Sequence, residues 1–341
     1  MSAANFKQPF FAGVDVGGTN IKIGIVDNLG NIVGQTKFPT LSDRSPDLAI
    51  EQAQKELNKL TATAGINWGS DIAGVGLGTP GPMNIKQGLI LTPTNLPGWH
   101  HFPIRDKLSE ALGKPVSYAN DAAAAAFGEF WVGGASAFES IVLFTLGTGV
   151  GGGIIIDDFS IDGSSSHGAE LGHLTIETGE NSRMCGCGQA GHLEAYASAT
   201  AVVQRTIEAL GELKSGEDSI LRNQTEETSP LSALMVSNAA ESGDPLAIRI
   251  VDETARFLAS GIALMAHTID PEAFILGGAM NFGGNESQVG RKFLSDVIRH
   301  TKEMVFPVLA ENLVVKFAEL GGEAGFVGAA GLAWAKHNRN K

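Results

Sequence analysis

The sequence predicts an α/β fold of two domains, each of which opens with the same type of β-hairpin. A chain of 341 residues is long enough for about two domains. Its first forty residues read as three short strands, "FFAGVDV", "IKIGIVD" and "IVGQTKF", separated by turns that contain Gly and Asn. β-Branched residues in this arrangement are typical of an antiparallel meander.

A second copy of the hairpin pattern occurs later in the chain. The stretch "VDVGGTNIKIGIVDN" from Val14 aligns with "FTLGTGVGGGIIIDD" from Phe144 at a constant offset of 130 residues, so that Gly17 matches Gly147. Both stretches read as strand, Gly/Thr turn, strand. We interpret them as a duplicated unit that opens each of the two domains. The alternative is a chance similarity between two Gly-rich hairpins.

Strands and helices alternate between the two hairpins. Ser45 followed by Pro46 is typical of a helix cap and a first helical position, so a helix should begin there. The buried strand "IAGVGLG" precedes a short helix, "PIRDKLSEALG", that ends at Gly113. The strand "PVSYAND" then leads into the Ala-rich helix "AAAAAFGEFW".

The chain after the second hairpin is mostly helical. The segments "HLEAYASATAVVQRTIEAL" and "DPLAIRIVDETARFLASGIALMAHTI" carry apolar residues at helical spacing, and the second starts at an Asp244–Pro245 cap. The polar run "GELKSGEDSILRNQTEETS" between them predicts a surface loop or a helical insert. The strand "PEAFILGGAM" and the small-residue helix "EAGFVGAAGLAWAKH" complete the predicted fold.

Composition and charge exclude several classes of partner. The chain is 43% hydrophobic and carries a formal net charge of −13, so it offers no basic surface for nucleic acid or an anionic membrane. The apolar run at the N-terminus is interrupted by Pro9 and does not read as a signal peptide. The longest apolar stretch, Ile141 to Ile156, is split by glycines and shorter than the roughly 20 residues that span a bilayer. With two cysteines, these features predict a cytoplasmic protein.

The Gly/Thr turns of the two hairpins suit phosphate groups. "DVGGTN" and "LGTGVGG" present backbone N–H groups and a hydroxyl without bulky side chains, which favours a chain of phosphate oxygens. Neither turn fits the P-loop or the dinucleotide-binding pattern. A single turn of this kind would more often be an ordinary hairpin. Two turns in register, with Asp15 at a strand end as a ligand for hydrated Mg²⁺, indicate nucleotide phosphates held by both domains.

Polar side chains at two further places suit a polyol substrate. Asn120 and Asp121 follow a strand; either could merely cap the next helix, or Asp121 could be a general base beside a hydrogen-bonding Asn120. Glu170, His173 and Glu194 lie among Gly and Ala residues, where carboxylates and imidazole can bind several hydroxyls. His173 alone would more often be a structural histidine.

Both cysteines of the chain lie in one short stretch, "CGCGQAGH". Together with His173 upstream, Cys185, Cys187 and His192 provide two thiolates and two imidazoles, a set that Zn²⁺ accepts in tetrahedral geometry. A reduced pair of thiols in a Gly-rich loop is the alternative, and the residues alone leave the two open.

Several motifs together resemble the ROK family of bacterial sugar kinases. They occur in the family's order between about residue 10 and about residue 330, and the branch they resemble is that of the glucokinases. "SAT" at Ser198 to Thr200 also resembles that branch. The motifs are "GVDVGGTNIKIGIVD", "GLGTPGP", "NDAAAAAFGE", "LGTGVGGG", "AELGH", "CGCGQAGHLEAYAS" and "ILGGAM".

The resemblance implies a two-domain actin-like (ribonuclease H-like) fold with a duplicated β-meander core, closing over sugar and ATP. The implied small domain is residues 1–119, with a C-terminal helix of about residues 323–341 packing back on it. Residues 120–322 would form the large domain with a zinc-binding loop. The implied reaction is phosphorylation of the 6-hydroxyl of glucose by ATP with Mg²⁺.

The resemblance also assigns roles to residues that match the family's motifs. Asp121 falls on the catalytic base, and the zinc set becomes the favoured interpretation of Cys185, Cys187, His173 and His192. The residues at the sugar positions are Gly81, Asn95, Asn120, Asp121, Glu170, His173 and Glu194. The residues at the nucleotide positions are Asp15, Gly18, Thr19, Asn20, Lys22, Thr148, Gly149, Gly277 and Gly278.

The chain departs from the family pattern at two positions. Ala169 replaces the usual Gly before Glu170, and His192 replaces the usual last Cys of the zinc motif. Alternative functions are an N-acetylhexosamine or fructose kinase, or a sugar-sensing repressor without its DNA-binding domain. Only twelve residues precede Gly13, which disfavours the repressor. A homodimer is an expectation from the family.

Overall fold

The computed structural model describes residues 6–214, 218–224 and 230–339. The strands of these residues are β1 (Phe10–Val16), β2 (Asn20–Val26), β3 (Ile32–Pro39), β4 (Ile72–Thr79), β5 (Met83–Asn84), β6 (Leu89–Ile90), β7 (Val116–Asn120), β8 (Ser140–Leu146), β9 (Val150–Ile156), β10 (Phe159–Ser160), β11 (Ala273–Gly277) and β12 (Val315–Phe317). The helices are α1 (Pro46–Ala64), α2 (Trp68–Asp71), α3 (Ile104–Leu112), α4 (Asp121–Trp131), α5 (Glu194–Ala197), α6 (Ala199–Gly211), α7 (Ile220–Gln224), α8 (Ala233–Glu241), α9 (Pro245–Ile269), α10 (Gln288–Met304), α11 (Pro307–Asn312) and α12 (Ala324–Arg339).

The first sheet has the strand order β3-β2-β1-β4-β7. Strands β1, β2 and β3 pair antiparallel, which confirms the predicted meander. Strands β4 and β7 continue the sheet in parallel with β1. Because the carboxyl ends of parallel strands meet at one edge of a sheet, the ends of β1, β4 and β7 are neighbours.

The second sheet repeats this order as β10-β9-β8-β11-β12. Strands β9 and β10 pair antiparallel, and β11 and β12 pair in parallel, as do their counterparts in the first sheet. Strands β1 and β2 begin at Phe10 and Asn20, and β8 and β9 begin at Ser140 and Val150, which is the offset seen in the sequence. A shared strand order is not expected from chance similarity of two hairpins, so the predicted duplication is confirmed.

Both faces of the first sheet are buried. Alternate residues of β1 point to opposite faces, so Phe10 joins the core beneath α1 and α3, whereas Phe11 joins the core beneath α12. Helix α12 lies directly on the second face. A Cβ atom at Gly13 or Gly76 would overlap the α12 backbone. The small residues of the strands and of α12 therefore allow the helix to pack closely against the sheet.

Most helix boundaries lie where the sequence predicted them. The Ser45 hydroxyl accepts a hydrogen bond from the Asp47 N–H at the start of α1, with Pro46 at the first helical position. Asp244 caps α9 in the same way, through the Ala247 N–H. Gly113 ends α3 in the left-handed conformation. Each cap satisfies backbone groups that the helix itself leaves without a partner.

The segment "HLEAYASATAVVQRTIEAL", which was predicted to be helical, forms two helices. They are α5 and α6, with Ser198 between them in an extended conformation. The Ser198 hydroxyl accepts from the Ala201 N–H and so caps α6. A serine that binds the backbone in this way competes with a continuous helix. Of the polar run that follows, residues 215–217 and 225–229 lie outside the described residues, and α7 occupies the middle.

Two compact units divide the chain. The first comprises the described residues up to Ile141, Gly153–Ala169 and those from Glu319 onward; the second comprises Val142–Gly152 and the described residues of Glu170–Ala318. Helix α12 groups with the first unit. Helix α4 does so as well, because it packs against α12, although the sequence analysis placed it in the large domain. The boundary at residues 119–120 remains a prediction. Among the described residues, no helix has the length and apolar character needed to cross a membrane.

Candidate active site

The first Gly/Thr turn, residues 17–19, links β1 to β2 and is held by hydrogen bonds on two sides. The Gly17 N–H donates to the Asn20 carbonyl at 3.0 Å. The buried Thr40 hydroxyl donates to the Gly17 carbonyl at 2.7 Å, and the Thr40 N–H donates to the Thr19 carbonyl at 2.9 Å. Thr19 and Asn20 are exposed. The turn is therefore fixed in shape while two residues at the predicted nucleotide positions are open to solvent.

Asn95 of the predicted sugar site lies beside this turn. A Cβ atom at Gly18 would lie 3.3 Å from both Cβ and Nδ2 of Asn95. Asn95 is exposed and belongs to the loop that follows β6. Gly81, which the sequence analysis named with Asn95, lies half-buried in the connection from β4 to β5. Of these two residues, it is Asn95 that lies against the first turn.

Asp15 lies near the end of β1 in surroundings that disfavour a bare carboxylate. Gly325, at the start of α12, packs against this carboxylate so closely that a Cβ there would overlap it. Burial, and to a smaller extent the Asp121 carboxylate, raise the pKa of Asp15 to about 7, although the Lys22 ammonium acts in the opposite direction. Lys22 Nζ also donates to the Gly322 carbonyl at 2.8 Å. Two neighbouring carboxylates with one ammonium nearby suit a bound cation.

Asn120 and Asp121 lie where β7 ends and α4 begins. The Asn120 side-chain oxygen accepts from the N–H groups of Ala122 at 2.8 Å and Ala123 at 3.3 Å, so Asn120 is the helix cap. Asp121 is the first helical residue, and its carboxylate is within electrostatic reach of Asp15. The capping interpretation thus applies to Asn120. A carboxylate in the first turn of a helix interacts favourably with the helix dipole.

The second Gly/Thr turn, residues 147–149, links β8 to β9 and contacts the segment that leads into α6. A Glu194 carboxylate oxygen, Oε2, accepts from the Val150 N–H at 2.9 Å. A Cβ atom at Gly149 would overlap this oxygen, so only glycine leaves room for it. The Ala199 N–H donates to the Gly147 carbonyl at 2.8 Å, and the Thr200 hydroxyl donates to the Thr148 carbonyl at 2.8 Å.

Gly277 and Gly278 lie beside the strand that ends at the second turn. Gly277 is the last residue of β11, the neighbour of β8 in the sheet. Gly278 has a φ of +91°, and a Cβ there would overlap the backbone of Leu146, the last residue of β8. Glycine alone fits this position on both counts. The structure therefore brings together the second turn and this loop, both of which were predicted to bind nucleotide.

A cluster of two cysteines and two histidines could hold a metal ion. One ligand atom from each of His173, Cys185, Cys187 and His192 lies within 4.8 Å of the others. The two Nδ1 atoms are 3.3 Å apart, Cys187 Sγ is 3.2 Å from His192 Nδ1, and Cys185 Sγ is 3.8 Å from His173 Nδ1. Burial raises the pKa of the Cys185 thiol to about 11. A bound metal cation would favour the thiolate form of this thiol at neutral pH.

Glu194 and Glu170 differ in their surroundings. The Glu194 Oε1 atom is 3.7 Å from Cys185 Sγ, while its Oε2 binds the backbone next to the second turn. Glu194 therefore connects the metal-binding cluster with that turn. Glu170 is exposed and precedes a single 3₁₀ turn, Leu171–His173, that positions the His173 ring.

The contacts of Ala199, Thr200 and Gly325 were not predicted from the sequence. The "SAT" triplet was noted only for its resemblance to glucokinases, yet two of its residues bind the second turn. The signal for Gly325 was its position at the start of a small-residue helix. Neither signal specifies a partner, because both contacts join segments far apart in sequence.

Comparisons with known proteins match almost the whole chain. The family model described as the ROK family covers residues 11–336. The chain is 34% identical to a glucokinase of Halalkalibacterium halodurans over 96% of each protein. It superimposes on the ROK hexokinase of Thermus thermophilus with a TM-score of 0.81 and 30% identity, covering 97% of this chain and 99% of that one. A ROK family glucokinase of Streptomyces griseus, solved in complex with glucose and AMPPNP, gives a TM-score of 0.73 and 32% identity, with 95% and 98% coverage. The chain belongs to the ROK family.

Proposed function

We propose that this protein is a glucokinase, which transfers the γ-phosphoryl group of ATP to the 6-hydroxyl of glucose. The observation that carries the proposal is the pair of fixed Gly/Thr turns at equivalent places in two duplicated sheets, with Asp121 at the end of β7. Relatives named as glucokinases at 34%, 31% and 32% identity support it, as does the relative solved with glucose and AMPPNP.

Asp121 is the general base in this proposal. It accepts the proton of the 6-hydroxyl as that oxygen attacks the γ-phosphorus and the bond from phosphorus to the β-γ bridging oxygen breaks, which releases ADP. Asn95, Asn120, Glu170, His173 and Glu194 bind and orient the sugar hydroxyls. Phosphoryl transfer depends mainly on positioning and charge stabilisation, and one well-placed base adds about 10²–10⁴-fold.

The nucleotide is held by residues of both turns and by Gly277 and Gly278. Backbone N–H groups of the turns and the Thr19 and Thr148 hydroxyls donate to phosphate oxygens. Asp15 suits hydrated Mg²⁺, because burial and, to a smaller extent, the Asp121 carboxylate raise the pKa of this carboxyl, and a nearby divalent cation would favour its ionised form. When bound, Mg²⁺ neutralises charge that develops on the phosphate oxygens.

The Cys/His cluster is proposed to hold structural Zn²⁺. Tetrahedral bonds of about 2.0–2.3 Å place neighbouring ligand atoms about 3.3–3.8 Å apart, and three pairs of ligand atoms in the cluster are separated by 3.2, 3.3 and 3.8 Å. Four protein ligands leave no open position for a substrate, so the metal orders the loop rather than taking part in the reaction. We also expect a cytoplasmic enzyme and a homodimer, on the basis of the family.

A coupled ADP-release assay over a panel of sugars tests the proposed reaction. We expect the highest kcat/KM with glucose, lower values with mannose, fructose, N-acetylglucosamine and N-acetylmannosamine, and no turnover with 6-deoxyglucose, which lacks the acceptor hydroxyl. A preference for an N-acetylhexosamine or for fructose would replace glucose by that alternative. Turnover with 6-deoxyglucose would contradict transfer to the 6-hydroxyl.

A further inference from the structure

One short segment, residues 192–200, begins in the metal-binding cluster and ends on the second Gly/Thr turn. His192 is one of the four candidate ligands, and its backbone pairs with Thr175 in an isolated β-bridge. Eight residues later, Thr200 donates its hydroxyl to the Thr148 carbonyl at 2.8 Å. The segment thus contacts two sites to which the proposed function gives separate roles.

Three hydrogen bonds join the segment to the turn, two at the turn's carbonyls and one at the N–H of Val150, the residue that follows it. The Glu194 carboxylate accepts from the Val150 N–H, the Ala199 N–H donates to the Gly147 carbonyl, and the Thr200 hydroxyl donates to the Thr148 carbonyl. These bonds set the orientation of consecutive peptide planes. The same peptide planes carry the N–H groups that would bind phosphate oxygens, so the segment determines where those groups point.

Hydrogen bonds and burial order the segment between its two ends. The Ala195 N–H donates to the His192 carbonyl, and α5 continues this hydrogen bonding up to Ser198. Ser198 separates α5 from α6 but is itself held, because its hydroxyl accepts from the Ala201 N–H. Leu193 and Ala197 are fully buried, and Ser198 is nearly so. Close packing and these hydrogen bonds leave little free chain to absorb a displacement of His192 before it reaches the turn.

We propose that the metal bound at His192 raises the affinity of the second turn for nucleotide phosphates, with Glu194 and Thr200 as positioning residues. This inference rests on the proposed function, in which the turn binds ATP. Metal ligation fixes the position of His192. The hydrogen-bonded segment that follows His192 then restricts the conformations of the turn. Without the metal the turn becomes ordered only when nucleotide binds. The entropic cost of that ordering then makes the binding free energy of the nucleotide less favourable.

The first test measures binding of Mg–AMPPNP by calorimetry to zinc-loaded protein and to protein stripped by a chelator. We expect at least about a fivefold weaker affinity after stripping, which is a modest coupling between two sites. In zinc-loaded protein, Thr200→Val should weaken AMPPNP binding and leave glucose affinity and zinc content unchanged. Thr200→Ser keeps the hydroxyl donor and should restore the affinity.

The second test measures the same coupling from the zinc side and starts from folded, zinc-loaded protein. Coupling between two binding sites is reciprocal, so AMPPNP should raise the affinity for zinc, measured by competition with a chelator, by the same factor. The Thr200→Val variant should show a smaller effect of AMPPNP on zinc affinity than the Thr200→Ser variant.

Two outcomes would overturn the inference, and they are distinguishable. If AMPPNP binds and glucose is phosphorylated, but zinc and AMPPNP leave each other's affinity unchanged, the coupling is overturned and the proposed function stands. If zinc-loaded wild-type protein does not bind AMPPNP at all, the coupling and the proposed nucleotide site are overturned together.

Discussion

Asp15 and Asp27 are both aspartates near strand ends of the first sheet, yet their surroundings move their pKa values in opposite directions. Burial and the Asp121 carboxylate raise the pKa of Asp15 to about 7. Burial opposes ionisation of Asp27 too, but hydrogen bonds from Asn31, Lys7 and Leu29 outweigh it and lower the pKa of that carboxyl. The surroundings of Asp27 stabilise its carboxylate, which suits a structural role. The surroundings of Asp15 disfavour its carboxylate, and such a perturbed pKa is more common at functional sites.

The Asp15→Asn substitution should stabilise the protein at pH 8 in buffer without divalent cations. The unfolded state loses the Asp15 proton near pH 3.8 and the folded state only near 7, so stability falls as pH rises through this window. Asparagine removes this loss, which amounts to roughly 2–4 kcal/mol above pH 7. Urea unfolding at pH 4 and pH 8 should show little difference between variant and wild type at pH 4 and a large one at pH 8.

Asp27→Asn is the control with the opposite sign. It should destabilise the protein at neutral pH, and its difference from wild type should shrink as pH falls through the lowered pKa of Asp27. An Asp15→Asn variant that is no more stable than wild type at pH 8 would contradict the electrostatic description of Asp15.

Asp121→Asn should lower kcat by about 10²–10⁴-fold, because the variant lacks the base that accepts the hydroxyl proton. The substitution is nearly isosteric, and Asn120 still caps α4, so the fold and glucose affinity should change little. Steady-state kinetics, with calorimetry of glucose binding as the control, check this. Turnover close to that of the wild type would remove Asp121 from the mechanism.

At the scale of elements, two glycines of the second Gly/Thr turn differ in whether a side chain would fit at their positions. A Cβ at Gly149 would overlap the Glu194 carboxylate, whereas a Cβ at Gly147 would meet no atom within 4 Å. The motif "LGTGVGG" does not distinguish these positions. The difference comes from α5, which approaches the turn on one side only.

Gly149→Ala should therefore impair the enzyme and Gly147→Ala should serve as the matched control. The added methyl group at 149 displaces Glu194 and breaks its hydrogen bond to the Val150 N–H, at a cost of about 1–3 kcal/mol in stability. Thermal unfolding should show a lower Tm for Gly149→Ala, and kinetics should show a higher KM for ATP. Equal Tm values for the two variants would contradict the contact between Gly149 and Glu194.

At the scale of the whole molecule, a duplicated sheet and a Cys/His cluster that could hold a metal occur in one acidic chain. Both sheets use the same strand order, and in each a Gly/Thr turn joins the first two strands. The Cys/His cluster has no counterpart in the duplication, since the sequence has no other cysteines. The cluster is therefore an addition to the second unit, and we expect its metal to stabilise that unit.

The purified protein should contain one Zn²⁺ per chain by elemental analysis. His192→Cys should keep the metal, because thiolate is an equally good ligand, whereas His192→Ala opens the site and should lose most of it. Chelation should lower the Tm of the wild type and of His192→Cys, with a much smaller effect on His192→Ala. A zinc content near zero in protein prepared without chelator would leave the cysteines as a bare thiol pair.

Most elements, their caps and the duplication could be predicted from local patterns in the sequence. Those features depend on local residue patterns: Ser45 and Asp244 cap helices through neighbouring N–H groups, and Gly/Thr turns recur at a fixed offset. The candidate site residues also came from motifs. Their roles in sugar and nucleotide binding remain predictions.

The meeting of distant segments depended on the tertiary fold. Three features join residues that are far apart in sequence: the contact of Thr200 with the second turn, the position of Gly325 against Asp15, and the shared environment of Asp15 and Asp121. A sequence pattern records which side chain is present, but burial and electrostatic interactions depend on what packs around it. For that reason the raised pKa of Asp15 and the link from the metal-binding cluster to the second turn emerge only from the folded chain.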